Sequence, residues 1–231
     1  MKPKQRASTF TGQMVRAMAL VNLWLLALAV PAAADEARPI RIVAFGDSLT
    51  AGYQLNQDQA FPVQLAAALK AKGHAVDVAN AGVSGDTTAA GLARFDWAVP
   101  DDTEAVILAL GANDALRGID PDVARDNLDQ ILTKLRERNI DVLIAGMPPP
   151  KNWGKDYEAR FGAIYSGLAE KHGALLYPFF LEGVALDPKL NLADGLHPTG
   201  EGIGVIVEKI LPSVEELIRR VEARRGTASK S

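Results

Sequence analysis

From Ile40 onward, short apolar runs alternate with amphipathic stretches. Residues 40–45 (IRIVAF) read as a strand, and residues 75–79 (AVDVA) as a second. Residues 105–110 (AVILAL) are apolar without a break, as expected of a strand buried on both faces. Residues 142–146 (VLIAG) and the short 175–177 stretch give a fourth and a fifth strand. Between them, residues 61–72 hold apolar side chains at helical spacing until Gly73 stops the pattern. The string DTTAAGLARF opens on an Asp/Thr cap signal and predicts a short helix. Asp120-Pro121 is a cap followed by a first-turn proline, and it predicts a long helix to about Arg138. Helices are also expected over 157–171 and 199–225, the latter after a loop spanning 178–198.

Strands alternating with helices at this spacing imply a parallel sheet covered by helices on both faces, an α/β fold. There is no internal repeat and no linker, so residues 35–225 are expected to form one domain, with 226–231 (GTASKS) as a disordered tail. The basic string IRRVEARR reads as a solvated helix face.

The first 34 residues look different. Lys2, Lys4, Arg6 and Arg16 precede an apolar run over 17–30, and the small residues of PAAADEA follow. This predicts a cleaved bacterial Sec-type signal peptide, cut before Asp35, and hence a periplasmic or secreted product. The run is shorter than the about 20 residues a spanning helix needs, so no membrane insertion is expected after cleavage. The leader holds four of the 25 Lys and Arg and none of the 28 Asp and Glu, so the remainder is more acidic than the whole-chain net charge of −3. That balance argues against a nucleic-acid partner. The chain has no cysteine, which excludes disulfides, thiolate chemistry and a cysteine-linked lipid anchor.

Ligands of open parallel sheets bind beyond the carboxyl ends of the strands. The loops there read GDSLTAGY (46–53), NAGVSGDTT (80–88) and GANDALRG (111–118), all rich in glycine and small polar residues. Glycines let backbone N–H groups approach a ligand, the setting of an oxyanion hole. Ser48, in the first loop, either shapes the turn or serves as a nucleophile, and a nucleophilic serine needs a base. Of the three histidines, His74 and His172 sit at helix ends and read as structural. His197 follows Asp194 by three residues in LADGLHPTG, a spacing that can set a carboxylate against an imidazole but that also fits a plain turn and helix cap. Ser84 lacks the closing glycine of a nucleophile elbow, and it and Asp86 read as turn and cap residues. Asp47 reads as structural within its turn, and Tyr53, Trp97 and Trp153 as packing aromatics. No His/Asp/Glu cluster has metal-ligand spacing, so neither a metal nor another cofactor is expected.

Taken together, FGDSLTAGY, NAGVSGDTTAAGLAR, LALGANDALRG, YPFFLEGV and DGLHP resemble the motifs of the GDSL, or SGNH, hydrolases over about residues 40–211. The resemblance is nearest to bacterial periplasmic thioesterases, lysophospholipases and arylesterases. It implies a three-layer α/β/α sandwich around a five-stranded parallel sheet, flavodoxin-like. It also implies Ser48 as nucleophile, Asp194 and His197 as acid and base, and an oxyanion hole from the Ser48 and Gly82 N–H groups and the Asn113 side chain. Ala112 stands where the thioesterase pattern usually has glycine. Residues 115–120 resemble a mobile loop beside the acyl groove, and 147–157 a segment lining it. The implied substrates are small-molecule esters or lipids: aryl or short-chain acyl esters first, then acyl thioesters and lysophospholipids, with long-chain lipids or acetylated sugars as alternatives. A monomer is expected, since no large apolar surface helix stands out.

Overall fold

The computed structural model describes residues 38–149 and 151–228, so the leader lies outside the described residues. Five strands are present: β1 (Ile40–Gly46), β2 (Val76–Gly82), β3 (Ala105–Ala109), β4 (Asp141–Ala145) and β5 (Leu175–Tyr177). They pair in the order β2-β1-β3-β4-β5, every pair parallel. The register aligns Gly46 at the end of β1 with Gly82 on one side and Ala109 on the other. The carboxyl ends of β2, β1 and β3 therefore open onto one crevice.

Alternation along the strands sorts the core into two faces. Ile40, Ile42 and Ala44 of β1 and Ala105 and Ile107 of β3 pack with α2 (Phe61–Ala71) and α8 (Gly200–Ala228). Val43, Phe45, Val106 and Leu108 point the other way. They pack against α3 (Thr88–Ala98), α5 (Pro121–Glu137), α6 (Lys155–Gly162) and α7 (Ile164–His172). The result is the expected three-layer α/β/α arrangement. Two of the expected caps form. Asp120 accepts the Asp122 N–H ahead of Pro121, and Thr87 accepts the Ala90 N–H.

Four differences separate the structure from the pattern reading. β2 runs three residues past position 79, because Asn80, Ala81 and Gly82 keep their pairing with Ala44–Gly46. Helical residues start at 155 rather than 157, and the helix over 155–172 is interrupted at Ala163. Two short helices, α1 (Ser48–Ala51) and α4 (Ala112–Leu116), follow β1 and β3 directly. Lastly, α8 continues to Ala228, three residues into the stretch expected to be a disordered tail. The basic face of α8 is not simply solvated: Arg224 pairs with Asp141 at 3.0 Å and Arg225 with Glu104 at 2.5 Å.

Candidate active site

Three loops build the site. After β1, Asp47 turns the chain into α1 by accepting the Leu49 N–H at 3.0 Å, and this sets Ser48 as the first helical residue. After β3, Gly111 leads into α4, which carries Asn113. The third contribution is the long 178–198 loop, which the side chain of Asn191 pins from within. Its amide donates to the Val184 and Asp187 carbonyls at 2.7 and 2.8 Å. The Leu192 N–H donates to the His197 carbonyl at 2.7 Å, which closes the turn that holds Asp194.

The structure brings Ser48, Asp194 and His197 together. His197 Nδ1 lies 2.7 Å from Asp194 Oδ2, and Nε2 lies 2.9 Å from Ser48 Oγ. A carboxylate only accepts, so Nδ1 holds the imidazole proton and Nε2 is left to accept from the serine hydroxyl. Asp194 also braces its own turn, with Oδ1 accepting the N–H groups of Leu196 at 2.9 Å and His197 at 3.0 Å. The His197 backbone bond, then that from Leu196 and the imidazole itself, hold this carboxyl down at about 2. The Tyr53 ring packs on the imidazole with centroids 4.4 Å apart, so this aromatic belongs to the site.

Behind Ser48 lies a buried polar layer that the sequence reading did not anticipate. Asn113 Nδ2 donates to Asp47 Oδ2 at 3.2 Å and to the Asp86 carbonyl at 2.9 Å. Burial raises Asp47 to about 6, against the pull of the Leu49 and Asn113 bonds. Asp86 is not the cap residue expected of it. It pairs with buried Arg94 at 2.5 Å, and Arg94 also donates to the Gly46 carbonyl at 2.9 Å and lies over the Phe45 ring. Asp114 accepts from the Thr88 N–H and hydroxyl at 2.8 and 2.7 Å, and burial raises its pKa.

The N–H of Gly82, the glycine expected in the oxyanion hole, is already engaged. Its N–H donates to Asn80 Oδ1 at 3.0 Å, and its Cα side packs against the backbone of Ala51 in α1. Three residues on, Gly85 has φ +86, a conformation that favours glycine. Among the described residues its N–H has no acceptor, and its neighbour Asp86 supplies the carbonyl that holds Asn113.

The other sequence candidates lie elsewhere. His74 faces Glu215 at 3.2 Å and His172 faces Asp129 at 2.7 Å. Ser84 is exposed, and Trp97 lies on the surface, 72% exposed, with the Arg94 guanidinium 5.9 Å from its ring.

A groove of about 450 Å³ is lined by Ser48, Asn113 and His197, by Leu49, Ala115 and Leu116, and by Met147, Pro148 and Pro149. Leu181, Leu186 and Leu196 extend its apolar lining. A comparable groove of about 500 Å³ lies between α5 and α7, but ion-paired Asp122, Arg125 and Arg160 line it, and none of Ser48, Asn113, Asp194 and His197 does. The described residues contain no helix long and apolar enough to cross a membrane.

Comparison with known proteins fits this geometry. An arylesterase of Vibrio mimicus is 37% identical over 209 residues, which is 90% of this chain and all of that one. Thioesterase 1/protease 1/lysophospholipase L1 of Escherichia coli K12 is 34% identical over 197 residues, 85% of this chain and 91% of its own. Among solved structures, the SGNH-hydrolase family esterase AlinE4 is 46% identical with a TM-score of 0.66, covering 78% of this chain and 96% of that one. Residues 44–203 match the GDSL-like Lipase/Acylhydrolase family, and the chain belongs to it.

Proposed function

We propose that the protein is a serine hydrolase of carboxylic esters that works through an acyl-enzyme on Ser48. The observation that carries this reading is the line from Asp194 Oδ2 through His197 to Ser48 Oγ, 2.7 and 2.9 Å, opening on an apolar groove. Ser48 Oγ attacks the acyl carbon while its proton passes to His197 Nε2. Asp194 stays ionised and stabilises the imidazolium. The tetrahedral intermediate collapses, and His197 returns the proton to the departing alcohol or thiol. Water then attacks the acyl-enzyme by the same route and releases the acid and free Ser48.

The oxyanion needs donors. Ser48 is the first residue of α1, so its N–H lacks an intrahelical acceptor and is available. Asn113 supplies a second donor by yielding the longer of its two amide bonds, that to Asp47. Gly85, rather than Gly82, is the third, for the reasons of N–H availability and backbone conformation given above.

Aryl and short-chain acyl esters are the first expected substrates, with acyl thioesters and lysophospholipids accepted as well. The names of the relatives, arylesterase and thioesterase 1/protease 1/lysophospholipase L1, support that range. The basic and apolar character of residues 1–34 supports export as a signal-bearing precursor. A monomer that needs no metal completes the reading. The test is an assay of the mature protein on p-nitrophenyl esters from acetyl to palmitoyl. Ser48→Ala should abolish turnover while Ser84→Ala retains it. Turnover that survives in Ser48→Ala would overturn the nucleophile assignment, and a wild type inert on every ester would overturn the hydrolase reading.

A further inference from the structure

One row of aromatic side chains grips the segment that carries Asn113 and Leu116. Trp153, Tyr157, Phe161 and Tyr165 recur every fourth residue, with ring centroids 6.3, 5.7 and 6.1 Å apart in turn. Every polar atom in the row is spent on a carbonyl of residues 110–119. Tyr165 Oη donates to Leu110 at 3.0 Å. Tyr157 Oη donates to Ile119 at 3.0 Å and reaches Asp114 at 3.4 Å. The Trp153 indole N–H donates to Ala115 at 2.8 Å. Trp153 also lies flat against Gly118, where φ is +64 and a Cβ would come within 2.8 Å of the indole ring.

Burial does not account for Trp153, because it is 45% exposed. What it does is tie together two segments that line the groove. Its own segment continues back to Met147, Pro148 and Pro149, and the carbonyl it holds precedes Leu116. Leu116 is half exposed, so little apart from its backbone fixes where it stands.

We propose that the Trp153 indole N–H is a latch that fixes the Leu116 wall of the acyl groove, and that Trp153 is thereby a positioning residue for acyl chain length. The proposal rests on the reading of the groove as the acyl site of an ester hydrolase. Releasing the latch leaves Asn113 in place, because Asp47 and the Asp86 carbonyl hold its amide independently. The expected signature is therefore in KM for chains long enough to reach Leu116, and not in kcat.

Trp153→Phe keeps a ring over Gly118 and removes the donor. Kinetics on p-nitrophenyl acetate and decanoate, together with amide hydrogen exchange of the full chain, test the latch. KM for decanoate should rise about 5–10-fold while kcat and the acetate parameters stay within about twofold, which is the scale of one lost hydrogen bond. Exchange should quicken at 115–119 and stay unchanged in the strands. Tyr157→Phe should give the same pattern more weakly. Changes of equal size on both esters, or unchanged exchange at 115–119, would overturn the latch. A wild type that hydrolyses neither ester would instead overturn the ester reading, and exchange would still decide whether Trp153 holds the loop.

Discussion

The carboxamide of Asn113 rests on the carboxylate of Asp47, Nδ2 to Oδ2 at 3.2 Å, directly behind the serine. This carboxyl is almost fully buried, and burial raises it from 3.8 to about 6. A raised acid pKa means that folding takes up a proton between those two values. The contribution of this group to stability is therefore greatest below the unfolded value and falls as pH climbs to about 6, with the full cost in place above it. At about 1.4 kcal/mol per unit, the ionised buried group costs about 3 kcal/mol. Asp47→Asn removes the charge and keeps the acceptor for the Leu49 N–H, while the Asn113 amide loses its acceptor there and keeps only the Asp86 carbonyl. Its melting temperature should exceed that of the wild type at pH 8, with the gain shrinking toward pH 4. Melts of both proteins across that range check this, and a difference that does not vary with pH would refute it.

Asp194 behaves in the opposite sense. Held at about 2, it is ionised at every pH where the protein would be assayed. Asp194→Asn should lower kcat about 10²–10⁴-fold, through loss of the imidazole's fixed tautomer. The activity profile of the wild type should contain no limb from this group above pH about 3. Ser48→Ala should cost at least about 10⁴-fold. Rates from pH 4 to 9 for the three proteins measure both effects, and an Asp194→Asn variant that keeps kcat within about threefold of the wild type across that range would refute the assignment.

Arg94 is the one cation in the buried layer described above, and it neutralises Asp86 at 2.5 Å. Arg94→Met fills most of the space and leaves Asp86 and the Gly46 carbonyl without their partner. Removing one member of such a pair typically costs about 3–5 kcal/mol. Urea unfolding should report that loss for the single variant and a smaller loss for Arg94→Met with Asp86→Asn. A double variant no more stable than the single one would mean that the charge on Asp86 is not what Arg94 offsets.

The strands and long helices were legible because period and caps agree over many residues. A nearly unbroken apolar run marked β1, and Asp120-Pro121 marked the start of α5. Helices α1 and α4 are four and five residues long, too short for a period to register. Ser48, Asp194 and His197 could be read because each stands in a contiguous string, GDSL or DGLHP. The glycine proposed as the third donor could not. Gly82 and Gly85 share the string NAGVSGD, and which of them leaves the ladder depends on how far β2 pairs with β1. The polar layer was hidden for a similar reason: Asp47, Asp86, Arg94 and Asn113 come from separate segments and meet only through the sheet register.

Leu186 supplies the last prediction. It has φ +67 and is 93% exposed, yet it lines the groove with Leu116 and Leu196. A left-handed backbone costs a branched apolar residue about 1 kcal/mol, and exposure means that folding gains nothing from the side chain. The leucine therefore works against the fold and is useful only when something apolar covers it, as a bound acyl chain would. Asparagine tolerates the same backbone. Leu186→Asn should raise stability by about 0.5–1 kcal/mol and cut kcat/KM on decanoate about 5–10-fold, with acetate unchanged. Thermal melts and the ester series give the two numbers. A variant that loses stability would show that Leu186 serves the fold, and one that keeps its decanoate activity would remove this residue from the acyl path.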